Sequence, residues 1–467
     1  MTVADATPDY EVGSPDDRAF LGHPKGLGYL GFTEACERFS YYSMQTLLVL
    51  YMVNYLLKPG RMENVVGLSW VQNHIYHGIS GQPLASAIFG TYTALVYGTP
   101  IVGGIIADKW LGRDTTLIIG GVLMAIGHFL MAIQSAFVFA LLALVLGVGA
   151  FKGNIATQVG ALYGPNDLRR AMAFQIFYIF INVSVIVAPL ISGTLGQKVG
   201  WHYGFGCAGV VMVVGLLIYM SGRRYLPREE LAAPTRDPAL REPLSRADWL
   251  CVLYLVILIP VLAISLLTNQ EIYNAYLVWG DQHFRLKLFD YTFPSSWLVT
   301  IDAAVSFAML VAVAAFWKWW GTRRTEPDEI SKMIIGSFFT IAGGLCLFMG
   351  ALTQPAHGRI SMFWPMMFEL MNSIGFAHIL PISLALFSKI SPKQLTSTVI
   401  GLYYFSFLIA NAVVGYVGGL YSSLPTTTFW LIHVASAAFG LVAFVVFKLV
   451  IGKRMQSTPE DQSKALG

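Results

Sequence analysis

The stretch "FTEACERFSYY", Phe32 to Tyr42, places Glu34, Glu37 and Arg38 inside an otherwise apolar run. Residues three and four apart share one helical face, so both carboxylates and the guanidinium point the same way, and Tyr41, Tyr42 and Gln45 extend that face. Five further ionisable side chains interrupt apolar runs elsewhere: Lys152, Glu271, Asp302, Glu369 and His378. Five acids stand against two bases, Arg38 and Lys152. If all five were ionised they would repel, so at least one is expected to hold a proton part of the time. A carboxyl that changes protonation within reach of a guanidinium is a proton-coupling device.

Each of these residues also has a plainer reading. The Glu34, Glu37 and Arg38 cluster could lock one helix to its neighbour, although buried pairs stabilise weakly. Lys152, in "GVGAFKGN", could snorkel to an interface. Glu271 shares "TNQEIYNAY" with Gln270, Tyr273, Asn274 and Tyr276, a polar density suited to a water-filled cavity or to an interface. Asp302 lies early in its span and could be interfacial. Glu369 has Asn372 and Ser373 on its face, which also suits interhelical hydrogen bonding. His378 reads as a structural histidine.

The elements that must position these groups follow from composition. The chain has 467 residues, 55% hydrophobic and only 12% charged, against about a quarter charged in soluble domains. It is an all-α membrane protein. Apolar stretches of about 20 residues, enough to cross a hydrocarbon core of roughly 30 Å, fall at 27–57, 84–107, 115–134, 137–163, 168–196, 201–221, 248–279, 294–317, 333–352, 360–388, 396–421 and 426–451. We number them spans 1 to 12. Residues 1–26 carry five acids and no apolar core, so they read as a polar tail rather than a signal peptide. Cys36, Cys207, Cys251 and Cys346 all fall inside spans, which argues against a disulfide framework.

With both termini cytoplasmic, the inner segments hold 22 Lys and Arg and the outer loops 6, the asymmetry expected of a membrane protein. The net charge of +4 is loop asymmetry and implies no nucleic-acid partner. The Pro- and Arg-rich stretch at 222–247 divides the chain into a bundle at 27–221 and a second at 248–451, with a tail at 452–467. "WLGRD" at 110–114 is echoed by "WWGTRR" at 319–324, six spans later. Two pseudo-symmetric six-helix bundles with a site at their interface are the major facilitator arrangement. No nucleophile elbow, metalloprotease helix, Walker loop or metal-spaced Cys and His occurs, so no enzyme and no cofactor is expected, and an ion gradient would drive transport.

"HPKGLGYLGFTEACERFSYYSMQTLLVLYM" resembles the first helix of the proton-dependent oligopeptide transporter family, marked by E-x-x-E-R followed by F-S-Y-Y. "ALVYGTPIVGGIIADKWLGRD", "GVGAFKGNIATQVGALY", "FYIFINVSVIVAPL" and "LFSKISPKQLTSTVIGLYYF" extend the resemblance over nearly all spans. It implies proton-coupled symport of di- and tripeptides by alternating access, across a plasma membrane, the bacterial inner membrane in particular, by a chain functional as a monomer. By similarity, Glu34, Glu37 and Arg38 form the coupling motif. Arg38, Tyr42, Tyr97, Lys152 and Asn182 line the peptide site.

The second half departs from the family pattern. Gln45 stands where a second arginine is usual, Phe376 where a helix-10 glutamate is usual, and Asp302-Ala303 where asparagine and proline are usual. The family acid of helix 7 falls near Gln270, with Glu271 next door. Asp302 is therefore the first candidate for the peptide ammonium, with Glu271 and Glu369 as gate or compensating acids. These departures keep alive a same-fold carrier of a non-peptide solute such as nitrate. A transporter-like peptide receptor is the rival from another class.

Overall fold

The structure is a computed structural model that describes residues 17–164, 167–227, 244–288, 290–392 and 394–456. Long helices dominate it, because a chain this apolar must satisfy its backbone polar groups within each segment. The first half carries Lys25–Tyr51, Gly81–Ile106, Arg113–Met131, Phe137–Ala161, Arg169–Ala188 and Trp201–Gly222. The second carries Arg246–Ser265, Trp297–Gly321, Glu329–Leu352, Phe363–Ile390, Phe405–Gly419 and Thr426–Gln456, with shorter helices between. Among the described residues, eleven helices are long and apolar enough to cross a membrane. Lys25–Tyr51 is the long helix outside that set, since its buried face carries Glu34, Glu37 and Arg38.

Several elements differ from the sequence expectation. Span 7 is not one rod: Arg246–Ser265 gives way to Leu267–Gln270, a tight turn at Glu271–Tyr273, and a separate helix Ala275–His283. The break falls at Asn274, with φ −121° and ψ −109°. Glu271 Oε1 accepts from Ala275 N at 3.1 Å across it, so a side chain replaces a lost helical acceptor. Span 11 likewise splits into Thr396–Tyr403 and Phe405–Gly419. Span 5 leaves the α-helix at Pro189, which has no N–H to donate, and continues as two wider turns, Pro189–Gly193 and Leu195–Val199. The last helix runs to Gln456, five residues into the expected tail, and residues 228–243 of the linker and 457–467 lie outside the described residues. The four cysteines are free and half-buried.

Within the first half, span 1 packs on spans 5 and 6, and span 4 on spans 2 and 3. Within the second, span 9 packs on spans 10 and 12, and span 10 on span 8. The halves meet along two seams, span 2 against span 11 and span 5 against span 8. Backbone proximity sets the first seam: a Cβ on Gly90 would lie 2.3 Å from Gly415 Cα. One end of the interface is stitched shut by polar side chains. Asn54 Nδ2 donates to Asp281 Oδ2 at 3.0 Å, and Gln197 Nε2 to Ser295 Oγ at 2.7 Å. Ser86 Oγ donates to Asn274 Oδ1 at 2.9 Å, and Gln82 Nε2 to Gly418 O at 2.9 Å. Toward the other end, Tyr178 of the first half and Tyr404 of the second stay 53% and 42% exposed.

Two outcomes follow. Gly90→Val should destabilise the closed end by about 1–3 kcal/mol through overpacking, read as faster thiol labelling of a cysteine placed at Ser86. Asp328 caps Glu329–Leu352. Burial favours its neutral form, but the Ser331 N–H at 2.8 Å and Lys448 Nζ at 3.0 Å outweigh burial and hold the carboxyl below the usual range. A depressed native pKa contributes stability above the unfolded value, about 3.9, that is lost as pH falls through the native one. Asp328→Ala should therefore cost about 1 kcal/mol at pH 7 and much less near pH 3, read by thermal unfolding in detergent.

Candidate functional site

The face predicted from "FTEACERFSYY" is assembled as the spacing requires. Arg38 Nε donates to Glu34 Oε1 at 2.8 Å and lies 2.7 Å from Glu37 Oε2. Nε has a single hydrogen, and it is directed at Glu34, so the Glu37 contact is an ion pair without a hydrogen bond. Both Glu37 oxygens and Glu34 Oε2 have no hydrogen-bond partner among the described residues, and all three side chains are at most 6% exposed. Buried carboxylates so thinly solvated depend on the guanidinium for their charge.

Span 4 contributes Lys152. Its ammonium faces rings: Nζ lies 4.2 Å from the Tyr97 centroid and 5.7 Å from that of Tyr41. Arg38 lies 5.5 Å from the same Tyr41 ring. A cation held by π-faces at this range keeps its N–H groups available to an anion. Tyr42 packs edge-on against Tyr41 at 5.0 Å, and Tyr97 stacks on Phe407 of span 11 at 5.0 Å, so this cluster reaches the second half.

The opposite wall is acidic. Asp302 of span 8 and Glu369 of span 10 are both buried and interact through their carboxyls. The Tyr276 hydroxyl donates to Glu369 Oε1 at 2.7 Å. Two interacting acids in a buried site disfavour one another's charge. Asp302 Oδ1 and Glu369 Oε2 are buried without a partner among the described residues. Asp302 is thus interior rather than interfacial, at 6% exposure. Tyr273 stands between the walls, within electrostatic reach of Tyr42 and Tyr97 on one side and Asp302 and Glu369 on the other.

Asn182 sits half-buried on span 5, its amide donating to Tyr178 O at 2.8 Å. One turn further on, Ile186 O accepts from Thr300 Oγ1 of span 8 at 2.9 Å. Asn182 and Asp302 therefore lie along one seam. Glu271 is not part of this constellation. Its carboxyl caps the span 7 break and turns to His433 on the last helix, 3.5 Å away. His378 is structural in the way expected, its Nδ1 on Ile374 O at 2.8 Å and its Nε2 accepting from Trp317 Nε1 at 3.2 Å.

Sequence reasoning did not single out Tyr178, Tyr404 or His433. Tyr178 could have been found one turn before Asn182 on the same face. Tyr404 carries no such signal, because the helix break beside it resets the periodicity.

The profile of the Major Facilitator Superfamily matches residues 32–414. A peptide transporter of Yersinia enterocolitica is 28% identical, over 97% of this chain and 99% of its own. A di-/tripeptide transporter of Lactococcus lactis subsp. cremoris is 27% identical, over 93% and 97%. The fold is that of a crystallised mutant of the peptide transporter POT in complex with alafosfalin, with a TM-score of 0.79, 24% identity and coverage of 94% and 96%. A second POT family transporter, crystallised with 5-aminolevulinic acid, has a TM-score of 0.75 at 22% identity.

Exchanging Lys152 for Ala removes a half-buried cation beside the Arg38 cluster, and Lys152→Arg keeps the charge but changes its shape. Binding of a peptide ligand should fall at least tenfold in Lys152→Ala, measured by isothermal titration or thermal shift. Partial recovery is expected in Lys152→Arg.

Proposed function

Because the chain belongs to the Major Facilitator Superfamily, with peptide transporters of the POT family among its relatives, we propose that it is a proton-coupled symporter of di- and tripeptides. One observation supports the reading: two cations on the first half, Arg38 and the half-buried Lys152, stand opposite two buried acids, Asp302 and Glu369, on the second. A short peptide is a zwitterion. Its carboxylate suits the cationic wall and its ammonium the acidic wall, so one molecule spans both halves and draws them together. Asp302 takes the ammonium, with Asn182 beside it on the seam. Tyr42, Tyr97 and Tyr273 fill the space between.

The acid pair disfavours an anion such as nitrate, which would meet a negative wall. Both termini face the cytoplasm in this reading, and the closed end is the outer one. The structure then corresponds to a state open to the cytoplasm.

Coupling follows from the Arg38 cluster. A proton arriving at Glu37 removes one of the two negative charges on the guanidinium and weakens its hold. Arg38 is then free to engage the peptide carboxylate, and release of peptide restores the original pairing. One proton crossing 100 mV supplies about 2.3 kcal/mol, enough for roughly a fifty-fold solute gradient.

Reconstitution into proteoliposomes tests this reading. Uptake of a labelled dipeptide should be driven by an inward proton gradient in the wild type. Glu37→Gln should abolish pH-driven accumulation while retaining counterflow exchange. Asp302→Asn should raise KM by about tenfold or more, the loss of one charge-assisted hydrogen bond. Peptide binding without counterflow would indicate a receptor, and failure of dipeptides to compete where nitrate does would overturn the peptide assignment.

A further inference from the structure

The side chain of Glu271 and that of His433 on the last helix are both fully buried and face one another, with Nε2 3.5 Å from Oε2. His433 Nδ1 lies 3.0 Å from the carbonyl oxygen of Phe429. A carbonyl only accepts, so Nδ1 must carry the hydrogen. In a neutral imidazole that choice leaves Nε2 a bare lone pair, aimed here at a carboxylate oxygen. Both atoms are without a hydrogen-bond partner among the described residues. Two lone pairs face each other in an apolar pocket where the rings of Phe429 and Trp430 lie 4.7 and 5.1 Å from the imidazole. The arrangement is favourable only with one proton between them, carried either by the imidazole or by the carboxyl.

We infer that Glu271 and His433 form a second proton-binding site, separate from the Arg38 cluster, which couples protonation to closure of the interface at the break of span 7. The mechanical link is short. Glu271 Oε1 holds Ala275 N on the far side of the break, at 3.1 Å. Asn274, at the break itself, takes the hydroxyl hydrogen of Ser86 from the first half at 2.9 Å and donates to Val414 O of span 11 at 3.3 Å. Span 11 presses on both, since a Cβ on Gly418 would lie 2.0 Å from Asn274 Nδ2 and 2.7 Å from Glu271 Oε1. With the proton bound, the Glu271 to His433 contact fixes the turn that presents Asn274 to Ser86. Without it, the carboxylate is repelled by the bare nitrogen, the turn loosens, and the closed end opens.

The surroundings leave the pair to itself. Around it, span 7 contributes Tyr273 and Tyr276, with Glu369 of span 10 held on the Tyr276 hydroxyl. Span 11 contributes Asn411, bonded to Gln270, and span 2 contributes Gln82 and Ser86. Tyr421 packs on Phe429, and Lys448, further along the last helix, pairs with Asp328 instead. Among the described residues no other ion pair involves Glu271 or His433.

The inference needs no particular substrate, so its test is independent of peptide transport. Spin labels on the exposed positions Val66 and Tyr291 report the separation of the two halves at the closed end in the reconstituted full chain. The wild type should be closed at pH 5 and shift toward longer distances by pH 8. In Glu271→Gln and His433→Gln an amide donor replaces the proton, so the distribution should stay closed at both pH values. A wild type without a pH response, or variants that respond as it does, would overturn the inference. Nitrogen NMR of histidine-labelled wild type gives a readout that does not depend on the variants being closed. The His433 resonance, identified by its loss in His433→Gln, should keep hydrogen on Nδ1 while Nε2 changes with pH. A bare Nδ1, or an Nε2 that does not respond, would equally overturn it.

Discussion

A guanidinium buried between two carboxylates in the first helix sets the terms for the rest of the molecule. Arg38, Glu34 and Glu37 are among the most costly side chains to place in a bilayer, and they are tolerable only because one face of the helix is enclosed by neighbours. Spans 5 and 6 close around that helix, and the tyrosines 41, 42 and 97 provide a polarisable lining that softens the desolvation of both Arg38 and Lys152. Across the interface, Asp302 and Glu369 bury two further acids in the second half.

The acids of the second half come from two helices. Glu369 lies on Phe363–Ile390, seven residues before Phe376 and so on nearly the same helical face. Asp302 is brought toward it by the packing of span 8 on span 10, and both are buried. Interaction between the two disfavours the charge of each.

Three spans are interrupted: span 7 where Asn274 meets Ser86 of span 2, span 11 beside Tyr404, and span 5 at Pro189. Each interruption exposes backbone groups that a side chain or a turn must satisfy, and each lies against the other half. The interface is therefore closed by a small number of directional hydrogen bonds, one of them to the Asp281 carboxylate, and by the approach of Gly90 to Gly415. Such contacts are individually weak.

Much of this was legible in the chain alone. Hydrophobic length identified the spans, because crossing a hydrocarbon core requires a fixed number of apolar residues. The spacing of Glu34, Glu37 and Arg38 placed them on one face, because helical periodicity is local. The E-x-x-E-R resemblance pointed to Lys152, Tyr97 and Asn182 as their companions. Other relations belong to the tertiary structure. Glu271 and Asp302 look alike in sequence, each an acid in an apolar run. Only packing shows that Glu271 turns to His433, 162 positions later, while Asp302 meets Glu369. Single-chain periodicity stops at the break of span 7, where the backbone leaves the helix and the side-chain directions reset. Which buried acid finds a proton, a histidine or a second acid is decided by the few ångströms between helices, and sequence spacing along one helix carries no information about that distance.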